Sequence, residues 1–180
     1  MIPTQWATER LYIAGAVPKD LSDLQDILEK CHYIAGWEGR LGESTAGVME
    51  RMLCDGDLPP GGRWENYFLQ TVRSKASDQP IAWLDLYFGY PTAETVWWGT
   101  LEVHPHWQRR GYGGEIEAGV VANLDRDRYR QIRVKVALKN WPAIRFWWRR
   151  GYDWIVGYHG DRVFDESCYA FLVLEKCLSG

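Results

Sequence analysis

A chain of 180 residues with 46% hydrophobic and 25% charged residues has one domain's worth of length and a globular balance, which excludes fibrous, collagen-like and disordered classes. Its longest apolar runs, such as Ile81 to Tyr90, fall well short of the ~20 residues a membrane span needs, and the N-terminus has no basic-then-apolar leader. A net charge of -3 argues against a general nucleic-acid binder, so the chain reads as one soluble, cytoplasmic domain over residues 1–180.

Leu11, Ile13 and Gly15 alternate as a first strand that Pro18 ends. Asp20 is a candidate N-cap with Asp23 three positions on, and Leu21, Leu24, Ile27, Leu28 and Cys31 recur at helical spacing. A second helical segment, about Ser44 to Leu53, runs into Leu58-Pro59-Pro60-Gly61-Gly62, a composition that forces a loop. Three strand-like runs follow, Arg63 to Arg73, Ile81 to Tyr90 and Glu94 to Val103, spaced as an antiparallel meander. A glycine-rich loop, Gln108 to Gly114, then opens a helix reaching about Asp127. After it come a strand (Ile132, Val134, Val136, Leu138), a helix from Pro142 to Arg150, and two strands near Tyr152 to Tyr158 and Tyr169 to Cys177. This order predicts an α/β fold, a mixed sheet covered by helices.

The four cysteines form no C-x-x-C pair and have no histidine at zinc-ligand spacing, so no metal site is expected. Charge is unevenly distributed. Val103 to Arg150 holds 11 Lys and Arg against 4 Asp and Glu, while the remainder holds 10 against 20, so one basic segment suits a polyanion and the rest is acidic. Arg126, Arg128, Tyr129, Arg130, Arg133 and Lys135 form a basic-aromatic stretch, but Asp125 and Asp127 interleave with it and no nucleic-acid motif accompanies it. The 11 tryptophans suggest aromatic-lined surfaces as well as core.

The most informative segment runs from Leu101 to Ile116. A strand ends at Val103, a short loop follows, and Gly111, Gly113 and Gly114 lead into a helix whose unsatisfied N–H groups and positive dipole end attract an anion, helped by Arg109 and Arg110. The P-loop pattern is absent, and Ile116 stands where a dinucleotide fingerprint needs its third glycine. Gln108-x-x-Gly111-x-Gly113, after a strand ending Val-x-Pro, resembles the Q/R-x-x-G-x-G/A loop of the GNAT superfamily of acyl-CoA-dependent N-acyltransferases. Asn140-x-x-Ala143-x-x-x-Trp147-x-x-x-Gly151-Tyr152 is similar to that family's second motif, N-x-x-A-x-x-x-Y-x-x-x-G-F. Thr8-Glu9-Arg10-Leu11 looks like the opening of ribosomal-protein-acetylating members.

The resemblance implies a GNAT fold, with a mostly antiparallel central sheet of six to seven strands flanked by about four helices. It implies acetyl-CoA as cosubstrate, with its pyrophosphate on the amides of Gln108, Arg109, Arg110, Gly111, Tyr112, Gly113 and Gly114. The strand edge at Val103 would hold the pantetheine arm, and Asn140 would touch that arm or order the cleft. Dimers are common in such families, so a homodimer is an expectation to test.

Acetyl transfer from a thioester to an amine needs a deprotonated amine, a donor to the oxyanion and help for the leaving thiolate. Glu102, one residue before Val103, is the first candidate base; Asp85, interrupting an aromatic-aliphatic strand, is the second; Glu94 and His104 are weaker. The family's motif places an acidic tyrosine where this chain has Trp147, and indole has no useful acidity. Tyr152, Tyr112 or water would then act instead, or the thiolate would leave unaided, which its low pKa tolerates. The departure also admits a non-catalytic acyl-CoA-binding module. For the acceptor, Trp37, Trp64, Trp83 and Tyr87 lie among carboxylates, a mixture suited to a small cationic amine, with a protein amine as the alternative.

Overall fold

The computed structural model describes residues 1–163 and 165–178. Eight strands form one sheet: β1 (Gln5–Ala7), β2 (Leu11–Gly15), β3 (Tyr67–Ser74), β4 (Pro80–Phe88), β5 (Thr95–Val103), β6 (Gln131–Ala137), β7 (Trp154–Gly160) and β8 (Ala170–Cys177), in the order β1-β2-β3-β4-β5-β6-β8-β7. Every neighbouring pair is antiparallel except β5 and β6. The helices are α1 (Leu21–Cys31), the single turn α2 (Ala35–Glu38), α3 (Val48–Cys54), α4 (Tyr112–Asn123) and α5 (Trp141–Arg149). The strand beyond the expected seven is β1, three residues too short to show alternation, which pairs Trp6 with Ile13.

Central strands bury both faces, which is why β4 reads as a nearly continuous apolar run. Leu84, Leu86 and Phe88 join Ile116 and Val120 of α4 and Trp147 of α5 in one core. Trp83, Tyr87 and Leu69 point the other way, against Leu24 and Ile27 of α1 and Met49 and Met52 of α3. This alternation sends any polar residue at positions 83, 85 or 87 toward α1 and α3.

Some boundaries differ from the sequence reading, each for a local reason. Asp20 does not cap α1: its buried carboxylate accepts from Val17 N (3.1 Å), Thr71 Oγ1 (3.1 Å) and Arg73 Nη2 (2.6 Å), tying the chain after β2 to β3. Helix α3 starts at Val48 rather than near Ser44 because Gly47 before it is left-handed, φ 70°. The segment Trp64–Asn66 is a 3-10 turn, so β3 begins only at Tyr67.

Candidate active site

Strands β5 and β6 pair from Thr95↔Gln131 to Trp98↔Val134 and no further, although β5 continues to Val103 and β6 to Ala137. The two strands therefore part beyond Trp98, leaving the edge of Gly99–Val103 free of β6. At the point of parting β5 carries a bulge. Asp85 pairs with Thr100 and Leu86 with Trp98, so Gly99 is the extra residue. A Cβ on Gly99 would lie 2.1 Å from Asp85 Oδ2, so only glycine leaves room for that carboxyl. A lone glycine inside a strand pattern is the signal that could have located this bulge in the sequence.

Past Val103 the chain turns through Pro105–Trp107 and enters α4 at Gly111, φ 86°. Arg109 is also left-handed, φ 61°, a cost of about 1 kcal/mol or more for a residue with a Cβ. No side chain caps α4, so the amides of its first turn point into a strained loop beside exposed Arg109 and Arg110. Thr8 and Arg10 hold that turn in place. Thr8 Oγ1 donates to Glu115 Oε1 (2.5 Å), Arg10 Nε to Glu115 Oε2 (2.6 Å) and Arg10 Nη1 to the Arg110 carbonyl (3.1 Å), while the guanidinium lies 4.3 Å from the Tyr112 ring centre.

Gln108 Nε2 donates to the Val103 carbonyl (2.8 Å), closing the loop on the end of β5, so that carbonyl is already engaged. Gly113 and Gly114 serve helix packing as well: a Cβ would sit 3.3 Å from Phe146 at the first and 2.6 Å from Arg150 Nη1 at the second. Arg150 in turn lies 3.7 Å from the buried Glu117, which also accepts from Lys176 Nζ at 2.8 Å. Asn140 is the N-cap of α5, its Oδ1 accepting from Ala143 N at 3.1 Å.

On the other face Glu102 forms part of a cavity of about 140 Å³, lined also by Leu28, Cys31, His32, Ile34, Ala35, Arg40, Glu43, Ser44, Thr45, Val48 and Arg51. Its Oε2 accepts from Trp83 Nε1 at 3.0 Å. Burial pushes the Glu102 carboxyl up to about 8, the indole N–H working against that rise and the charge of Glu38 with it. Asp85, on the same face, is raised to about 7 by burial and then by Asp57, and its Oδ1 has no hydrogen-bond partner. Burial also pushes the Cys31 thiol up to about 12, which makes it a poor nucleophile. Arg40 is held by Glu38 and Glu43, whereas Arg51 joins no ion pair among the described residues.

Three placements differ from what the sequence suggests. Tyr152 is fully buried, packed on Trp147 at 4.8 Å and beside Glu117, and burial raises its hydroxyl well above the usual phenol range. So enclosed a hydroxyl has no open path to a leaving thiolate, which counts against the acid role expected of Tyr152. Trp83 and Tyr87 are core residues; one serves Glu102, and the other accepts from Arg63 N (2.8 Å). Trp37 stands edge-on to Tyr33 and half-exposed Trp64 lies against Tyr67, so none of the four expected aromatic walls lines the cavity. No sequence signal singles out the polar lining on His32, Arg40, Ser44, Thr45 and Arg51, because polar residues scattered over a helical turn, a loop and α3 share no spacing that marks them as one wall. Glu94 is exposed, and His104 turns Nδ1 to the His106 amide and Nε2 toward Asp26 at 3.6 Å.

The site thus combines a parted pair of parallel strands, an uncapped basic helix start and a pocketed carboxylate. The model of the acetyltransferase (GNAT) family matches residues 21–152, and the chain belongs to that family. It is thus an N-acetyltransferase, of a family that uses acetyl-CoA as cosubstrate and moves the acyl group to an amine. Among solved structures it is similar to an acetyltransferase from Thermus thermophilus (20% identity, 96% of this chain and 99% of that one, TM-score 0.67). It is also similar to a GNAT-family acetyltransferase from Bacillus anthracis (13%, 97% and 98%, TM-score 0.70) and to a spermidine N-acetyltransferase chimera from Vibrio cholerae and hSSAT (14%, 94% and 96%, TM-score 0.70). No curated protein matches the sequence significantly. Among the described residues no helix is long and apolar enough to cross a membrane, and no cluster of three or more metal-ligating side chains occurs.

Proposed function

We propose that the chain transfers the acetyl group of acetyl-CoA to the primary amine of a small acceptor by direct attack within a ternary complex, with Glu102 as general base. The observation that carries this reading is the position of Glu102. Its carboxyl faces the cavity under α1 and α3, on the same stretch of β5 that is free of β6. The residues fit the cosubstrate: the first-turn amides of α4, with Arg109 and Arg110, suit its pyrophosphate, and Gly99–Val103 offers the strand edge for its arm. Bound there, acetyl-CoA supplies the electrophilic thioester carbon.

Glu102 takes a proton from the acceptor ammonium, so that the nitrogen lone pair is free to attack. A carboxylate near pKa 8 is a stronger base than an ordinary one and suits an amine near ~10.4. The new C–N bond forms as the C–S bond breaks, and the thiolate leaves without an acid, since Trp147 is enclosed by Trp98, Phe146 and Tyr152 and has no acidic proton; the second proton, which the nitrogen sheds on becoming an amide, passes to the departed thiolate or to water. A thiol of pKa near ~8.5 tolerates that departure. The cavity size favours a small molecule over a protein amine, and its mixture of Glu43, Arg40 and Arg51 favours, within the small cationic class, an amino acid derivative over a polyamine. A thiol-release assay across polyamines, aminoglycosides, amino acid derivatives and a peptide N-terminus tests this, alongside calorimetric titration of acetyl-CoA. Turnover confined to small amines is the expected result. Tight acetyl-CoA binding with no turnover of any amine would favour a non-catalytic acyl-CoA-binding module, to which the displaced acid also points.

A further inference from the structure

The cavity beside Glu102 is lined by two layers of the fold. Glu102 belongs to the sheet, whereas Val48 and Arg51, three positions apart on one face of α3, line it from the helices. The lining from α1 is apolar: Leu28 and Cys31, the latter lying against the end of β5 with its thiol 3.5 Å from the Val103 carbonyl. The two arginines of the cavity differ in their partners. Arg40 is held between Glu38 and Glu43. Arg51 forms no ion pair among the described residues, although Asp55 follows it by one turn at the end of the same helix.

We infer that Arg51 sets the specificity for the acceptor, holding a carboxylate on the α3 side of the cavity while the amine of the same molecule meets Glu102 on the sheet side. The inference rests on the reading of this cavity as the acceptor pocket. With Arg40 neutralised by its two carboxylates, Arg51 is the arginine of the lining whose charge is left to balance, and one carboxylate balances it. A dianionic phosphate would bring surplus negative charge beside Glu43 and Glu102, a polyamine would set a second ammonium against the guanidinium, and a plain amine would leave it unused. The planar guanidinium fork also matches a carboxylate through two parallel N–H···O bonds. Arg51 is exposed, so it stands at the mouth of the cavity, hydrated until the acceptor arrives. A carboxylate retained there turns the amine inward, past Leu28 and Cys31, toward the base.

Matched pairs of amines with and without the carboxylate test this: γ-aminobutyrate with propylamine, β-alanine with ethylamine, and leucine with isopentylamine. In thiol release by the full chain with acetyl-CoA, the acid member of a pair should have the higher kcat/KM by about 10- to 100-fold, the range expected of a charge-assisted pair. Arg51→Gln should bring that ratio to near unity, through KM rather than kcat, and Arg51→Lys, which keeps the charge but loses the fork, should recover part of it. Arg40→Gln should keep the ratio. Glutamine suits an exposed helix position, and thermal unfolding verifies that each variant remains folded. Calorimetric titration of the same six compounds into the chain saturated with CoA reads recognition without chemistry. Acid members that bind, and bind more weakly to Arg51→Gln, support the inference even where no amine is turned over, a result that would count against Glu102 as base instead. A wild-type ratio near unity, a ratio that Arg51→Gln leaves unmoved or Arg40→Gln abolishes, or no binding of any acid member would each overturn it.

Discussion

Replacing Glu102 by glutamine keeps its size and a group to receive the Trp83 indole N–H, and removes the base. With the carboxyl near 8, the ionised fraction is about a tenth at pH 7 and about half at pH 8. The acceptor ammonium, near ~10.4, stays protonated throughout this range, so the wild-type kcat/KM follows the ionisation of Glu102. It should climb about fivefold between pH 7 and 8 and level off above about 9. Glu102→Gln must await the free amine, so its kcat/KM should be lower at pH 7 by roughly 10² to 10⁴, the usual worth of a positioned base, and should keep climbing about tenfold per pH unit through pH 9. Stability gives a second readout. A carboxyl whose folded pKa lies above its unfolded value favours the fold while protonated, so its contribution falls as pH rises from about 4 through 8. Glu102→Gln should remove that part of the slope in denaturant titrations. A wild-type profile without a bend between pH 7 and 9, or a Glu102→Gln profile with the same bend, would refute the assignment of Glu102 as base, whatever the size of the activity loss.

Two further predictions concern buried carboxyls. Gly99→Ala places a methyl group against Asp85 Oδ2 and should cost about 1–3 kcal/mol as overpacking; combined with Asp85→Ala the cost should nearly vanish, and an equal cost in both backgrounds by urea unfolding would contradict the close approach. Lys176→Met should cost about 3 kcal/mol by leaving Glu117 with only the more distant Arg150. Adding Glu117→Gln should recover most of that loss, and failure to recover would show that the lysine acts through packing rather than charge.

The order of strands and helices, the basic segment from Val103 to Arg150 and the glycine loop were legible because periodicity, turn chemistry and charge are local properties of a chain. The same locality explains why Glu102 could be named: it precedes the loop by a fixed, short distance along one strand. What the tertiary structure decided is which side chains meet. Tyr152, separated from Glu102 by two helices and a strand, proved to lie in the core beside Glu117, and Trp83 and Tyr87 became support rather than pocket wall. Arg40 and Arg51 joined the cavity only because α1 and α3 pack on one face of β4 and β5. The bulge at Gly99 and the parting of β5 from β6 depend on registers between strands. A sequence pattern of period two specifies which face a residue takes, but not which residue of the neighbouring strand stands opposite it.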